Sequence, residues 1–202
     1  MSKGGKSPFA VVVANMKVEE PYINKFDYTN NLAPLSGAEP KYEPKKWNKG
    51  KIKENHNCYA YALNKFAPNR GDKSQPGYFS NFPPLRETDY SCATFATRMK
   101  KDNPGLYISD FNTKCKPHMH KGFLAIASGE DFDYHFWRQD DTGYWSHKPG
   151  RTDAKDTDGK GKKIKNPLMA DRSSSSFDYD TPCFFFCVNS KLSSLRSSTN
   201  SH

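Results

Sequence analysis

The chain has 202 residues and a mass of 23.0 kDa, enough for one domain with tails and too little for two full domains. Lys and Arg number 31 against 22 Asp and Glu, a net charge of +9, and only 35% of residues are hydrophobic although Phe, Tyr and Trp reach 14%. A core must therefore lean on large rings. No apolar run is long enough to cross a bilayer, and Phe9 to Ala14 is too short and too poorly flanked for a secretory signal.

Residues 1–50 carry no sustained periodicity apart from the apolar run Phe9 to Val13 and are dotted with Pro, Gly, Asn and Lys. They read as an extended basic arm that wanders, binds a partner or wraps the domain. The excess charge favours acidic surfaces, anionic glycans or nucleic acid. Its concentration in Lys41 to Lys53 and Lys160 to Lys165, both poor in apolar residues, reads as solvated charge runs in preference to a nucleic-acid footprint.

A domain is expected over residues 51–190 and a Ser-rich flexible tail over 191–202. The first helix starts near Asn55 or Asn57, either of which can cap free amides, and stops before Pro68, which puts Cys58 in its first turn. Arg70 to Pro84 is rich in Gly, Pro, Asn and Ser and reads as loop. A second helix is predicted from Thr88 or Asp89 to Lys101, with Cys92, Phe95, Ala96 and Met99 along one face. Asp102-Asn103-Pro104-Gly105 ends it.

Strands are predicted at Leu106 to Ser109, Gly122 to Ala127, Phe132 to Gln139, Tyr144 to Lys148 and Cys183 to Val188. Gly150 to Ser176 interrupts them with a polar loop. Helices followed by a mostly antiparallel sheet give an α+β layout. Cys183 and Cys187, four residues apart on one strand, would lie about 13 Å from each other, beyond disulfide reach. With Cys58, Cys92 and Cys115 they make five, an odd number without framework spacing. A reducing compartment is therefore expected, the cytoplasm or the inside of a particle such as a virion.

The chemistry centres on Cys58, His135 and His147. A helix N-terminus favours a thiolate through its free amides and dipole, and Cys58 sits there; its bland reading is a small buried hydrophobe. His135 shares a strand face with Asp133 and Trp137. Asp141-Thr142-Gly143 suits a three-residue hairpin turn, and in that register Asp140 faces Tyr144 and Trp137 faces His147. His147 then lies one diagonal step from His135 on the same face. A two-residue loop would turn His147 away and make Asp133 the orienting group. This order gives a nucleophile, a base and an orienter.

A cysteine at a helix start, a histidine on a strand and a polar residue on the next strand resemble the papain-like cysteine peptidases of the NlpC type and the related cysteine- and histidine-dependent amidases, over residues 55 to 150. The resemblance implies a papain-like fold with N-terminal helices on the sheet. It also implies cleavage of a peptide or amide bond, or acyl transfer, through a thioester at Cys58, with no cofactor and an oxyanion hole that includes the Cys58 amide. Such enzymes usually place an acid before the cysteine, where this chain has Asn57. Trp137, Tyr59 and Trp145 are candidates for a cleft or for core.

Two other chemistries have weaker patterns. Cys115, His118 and His120, with His56 or another cysteine as fourth, offer zinc ligands in a spacing that matches no common module, and an ordinary loop fits as well. Asp156-Thr157-Asp158-Gly159 matches part of a calcium loop without its downstream glutamate. A second class of function also fits: a component of a larger assembly, such as a virion, that keeps a hydrolase-like fold and binds neighbouring subunits through its arms.

Overall fold

The periodicity that puts Phe95, Ala96 and Met99 on one side of a helix and alternates rings along the strands is realised in three dimensions, in a computed structural model that describes residues 29–66, 74–127 and 132–194. Among the described residues four α-helices lead: α1 (Pro44–Trp47), α2 (Gly50–Asn55), α3 (Cys58–Ala62) and, after a 3₁₀ turn at Glu87–Asp89, α4 (Cys92–Asp102). Five strands follow: β1 (Tyr107–Ser109), β2 (His120–Ile126), β3 (Tyr134–Gln139), β4 (Trp145–His147) and β5 (Thr181–Val188). They form one antiparallel sheet in the order β1-β5-β2-β3-β4, the α+β layout expected.

The expected helices are shorter and better capped than their patterns suggest. Ser91 caps α4, its Oγ accepting the Thr94 amide at 3.2 Å, whereas Asp89 closes the preceding turn by accepting the Arg86 amide at 2.9 Å. α3 ends at Ala62, with every residue buried.

Alternation along β2, β3 and β5 builds two cores. Leu124, Phe136, Phe184 and Phe186 meet Tyr59, Leu63, Phe95 and Met99 on the helix side. Phe123, Trp137 and Phe185 face the other way, under Ala33, Ile164, Leu168 and Tyr179. The sheet is therefore covered on both faces, by helices on one and by loop segments on the other. Gly122 is demanded by the first core: a Cβ there would stand 2.2 Å from the Phe186 ring.

The segment after β4 is a loop, as expected, and it packs on the sheet. It buries Ala154, Ile164 and Leu168 and pairs with the outer edge of β4 through Trp145 with Ile164 and His147 with Lys155, closing an edge that would otherwise be open. The segment read as an arm is described from residue 29, and from there it lies along the domain. The Gln139 side chain donates to the Ala33 carbonyl at 2.8 Å, Arg138 to the Lys41 carbonyl at 3.2 Å, and the Asp141 amide to the Pro40 carbonyl at 3.0 Å. Residues 1–28, with the run Phe9 to Ala14, and the tail from 195 on lie outside the described residues.

The cysteines require the largest correction. Cys183 and Cys187 do not bond to each other, as their separation along β5 dictates. Each reaches instead to a distant segment: Cys183 to Cys92 at the start of α4, and Cys187 to Cys115 ahead of β2, with Cα separations of 5.1 and 5.7 Å. Cys58 takes part in neither disulfide. Two disulfides that pin the helix layer and the 110s loop to β5 are chemistry of an oxidising compartment, which overturns the expectation of a reducing one. They also remove Cys115 from the zinc ligands considered above; His120 is buried with its Nε2 donating to the Ala62 carbonyl at 2.7 Å.

Candidate functional site

Cys58, His135 and His147 are delivered by α3, β3 and β4. Asn57 begins α3: its Oδ1 accepts the Ala60 amide at 3.1 Å, and its Nδ2 donates to the Ser74 carbonyl at 2.7 Å. This explains an asparagine before the cysteine, since a carboxylate caps equally well and has no proton for Ser74. Cys58 is 5% exposed, packs into the helix-side core and lies with its Sγ 3.9 Å from the Tyr134 carbonyl, beside the residue that precedes His135.

The hairpin adopts the three-residue register. Trp137 pairs with His147 and Arg138 with Ser146, the Asp140 amide donates to the Tyr144 carbonyl at 2.8 Å, and Gly143 takes a φ of 84° at the turn. His147 accordingly meets His135, Nδ1 to Nε2 at 2.8 Å. His147 Nε2 lies 3.0 Å from the Thr157 carbonyl, to which it must donate. Its Nδ1 is then the acceptor, so His135 donates through Nε2 and keeps the lone pair on Nδ1. Both rings are held neutral. Burial pushes the His135 pKa well below the usual 6.5, with the neighbouring His147 adding to the effect, and burial brings His147 down to about 4.

Sequence reasoning missed the residues that close this site. Tyr179 stacks on His135 with ring centres 5.1 Å apart and donates its hydroxyl to Asp133 at 2.7 Å. Asp133 therefore holds Tyr179, while His147 faces His135. Trp137 sits edge-on to His135 at 4.5 Å. Tyr59, Trp137 and Trp145 are core, all 2% exposed or less. No local pattern marks Tyr179, which arrives from the loop before β5.

Two buried lysines also lack a sequence signal. Lys148 donates to the carbonyls of Lys53, His56 and Gly150 at 2.7, 2.7 and 2.8 Å, and Lys121 to those of Asp110, Phe111 and Thr113 at 2.8, 2.7 and 2.6 Å. Both are 0% exposed. Lys148 fixes the turn before α3 against the end of β4 and so sets the height at which Cys58 meets the sheet. Among the described residues no cluster of three or more His, Cys, Asp or Glu side chains is arranged to hold a metal ion. No helix among them is long and apolar enough to cross a membrane.

The two imidazoles are thus joined and covered by aromatic rings, whereas the Cys58 thiol lies in the helix-side core against the Tyr134 carbonyl, in an α+β domain pinned by two disulfides. No protein-family pattern matches the chain, and no solved structure matches it. Insoluble matrix shell protein 1 of Ruditapes philippinarum is 35% identical to it over 132 residues, which are 65% of this chain and 81% of that protein. The chain belongs to the family of that shell matrix protein. This kinship corrects the expectation of a thiol hydrolase or acyltransferase: the relative it points to is an insoluble matrix shell protein.

Proposed function

We propose that this protein is a secreted, non-catalytic building unit of an insoluble extracellular matrix of the shell type. The relationship to the insoluble matrix shell protein, spanning 81% of that protein, carries the reading. The two long-range disulfides support it, because they suit a protein that matures and works outside the reducing cell interior. This extracellular setting takes the place of the cytoplasm or virion, and neighbouring matrix subunits take the place of a peptide substrate.

The framework is, in this proposal, a papain-like one kept for its rigidity. The order of Cys58 at the start of α3, His135 on β3 and His147 on β4, with the 2.8 Å contact of the two imidazoles, is what supports that part of the proposal. The site serves as a buried polar clasp between hairpin and covering loop. An antibody raised against the folded domain tests the function: in the producing tissue it should stain the extracellular matrix and remain with the residue left after detergent extraction. Staining confined to the cell interior would refute it.

A further inference from the structure

The basic run at residues 41–55 is more than a solvated tail. It holds six lysines against two glutamates. Trp47, buried at 0%, anchors it in a small cluster with Tyr61 and Ala154. The run is also tied to the loop after β4. Tyr42 donates its hydroxyl to the Ala154 carbonyl at 3.1 Å, the Ala154 amide donates to Asn48 at 2.7 Å, and Lys148 holds the Lys53 and Gly150 carbonyls together. Lys41 and Lys49 each adjoin in sequence a residue bonded to Ala154, the neighbour of Lys155, and so belong to the same tied-down face.

Lys41, Lys45, Lys49, Lys51, Arg151 and Lys155 are all exposed. None of them has an ion pair among the described residues, whereas Lys46 and Lys53 pair with Glu43 and Asp153. The result is a rigid platform of unpaired cations. Its apolar residues, Trp47, Ile52 and Tyr42, are turned into the cluster beneath and offer no anchor to a folded protein. Protein interfaces draw their affinity from desolvated aromatic and arginine anchors and are depleted in lysine. A platform of lysine ammonium groups without such anchors suits a flexible polyanion, held by summed attraction and sensitive to salt.

We infer that the face formed by α1, α2 and the loop at residues 151–155 binds an acidic polysaccharide, a carboxylated or sulfated chain of the matrix. The choice of polysaccharide over nucleic acid rests on the extracellular reading. The charged face itself does not.

The test is binding of the full chain to chondroitin sulfate at 150 mM salt, with uncharged dextran and poly-aspartate as comparison polymers. The double variant Lys45→Glu/Lys49→Glu should bind chondroitin sulfate about tenfold or more weakly than wild type, with an unchanged melting temperature. Lys162→Glu/Lys165→Glu makes the same change in net charge on the other basic run and should lose less than about threefold. Equal losses in the two variants would overturn the site, since net charge alone would then explain binding. Absence of wild-type binding would overturn it too, as would tighter binding to poly-aspartate, which would make the partner an acidic protein. Tissue staining decides the matrix reading separately, so the two can fail independently.

Discussion

Replacing Lys148 by methionine probes the buried ammonium that ties the turn before α3 to the end of β4. Methionine keeps most of the volume and removes an ammonium whose three protons all go to carbonyls, of Lys53, His56 and Gly150 at 2.7 to 2.8 Å. Each bond to a charged donor contributes about 1.5–3 kcal/mol, so three would sum to roughly 5–9 kcal/mol. Against this stands the desolvation of a buried ammonium, several kcal/mol. Leaving three carbonyls unpaired at a site that is 0% exposed then costs a net of about 3–5 kcal/mol. That is a large share of the roughly 5–15 kcal/mol by which domains are stable. Urea unfolding should show the midpoint falling with an unchanged slope, and the melting temperature should drop by roughly 10 °C. A loss under about 1 kcal/mol, or a gain, would show that burial costs the ammonium as much as its bonds return, and the reasoning would fail.

Three further predictions concern the fold and the site. His120, His135 and His147 are neutral in the fold, with pKa values pushed by burial below 6.5, to about 4 for His120 and His147. Between pH 6.5 and 4 the unfolded chain binds the more protons, so stability should fall as pH falls through that window, by up to about 1.4 kcal/mol per unit for each ring. His147→Gln should remove close to one proton from that slope; urea midpoints at pH 7, 6 and 5 that do not move would contradict the assignment. Asn57→Asp keeps the cap but sets a carboxylate against the Ser74 carbonyl, and a loss of about 1–3 kcal/mol is expected in the same assay. Gly122→Ala puts a methyl group 2.2 Å from the Phe186 ring and should cost about 3 kcal/mol through overpacking; a neutral result would mean the ring can withdraw.

What the sequence revealed and what it hid divide by range. The strands were legible because their rings alternate under a sheet covered on both sides. The hairpin register was legible because Gly143 supplies the one positive φ that a three-residue turn requires. Those local facts sufficed to bring His135 and His147 into contact. The disulfides were not legible: the pairs are 91 and 72 residues apart, and the spacing of Cys183 and Cys187 excludes only their bond to each other. Lys121 and Lys148 look like surface lysines until the carbonyls that receive them converge from other segments. Residues 29–50 adhere to the domain largely through main-chain carbonyls, which no pattern of side chains announces. Catalysis was inferred from residue types in order. Cys58, His135 and His147 do lie on the expected elements, but residue types in order do not fix a function, and the shell matrix relative counts against the thioester reading.

The measurement that bears most directly on a matrix role is peptide mass spectrometry with differential thiol alkylation on protein recovered from producing tissue. The chain should come from the insoluble extracellular fraction, with Cys92 bonded to Cys183, Cys115 bonded to Cys187, and Cys58 alone as a thiol. Recovery from the soluble cell interior with all five cysteines reduced would contradict the account.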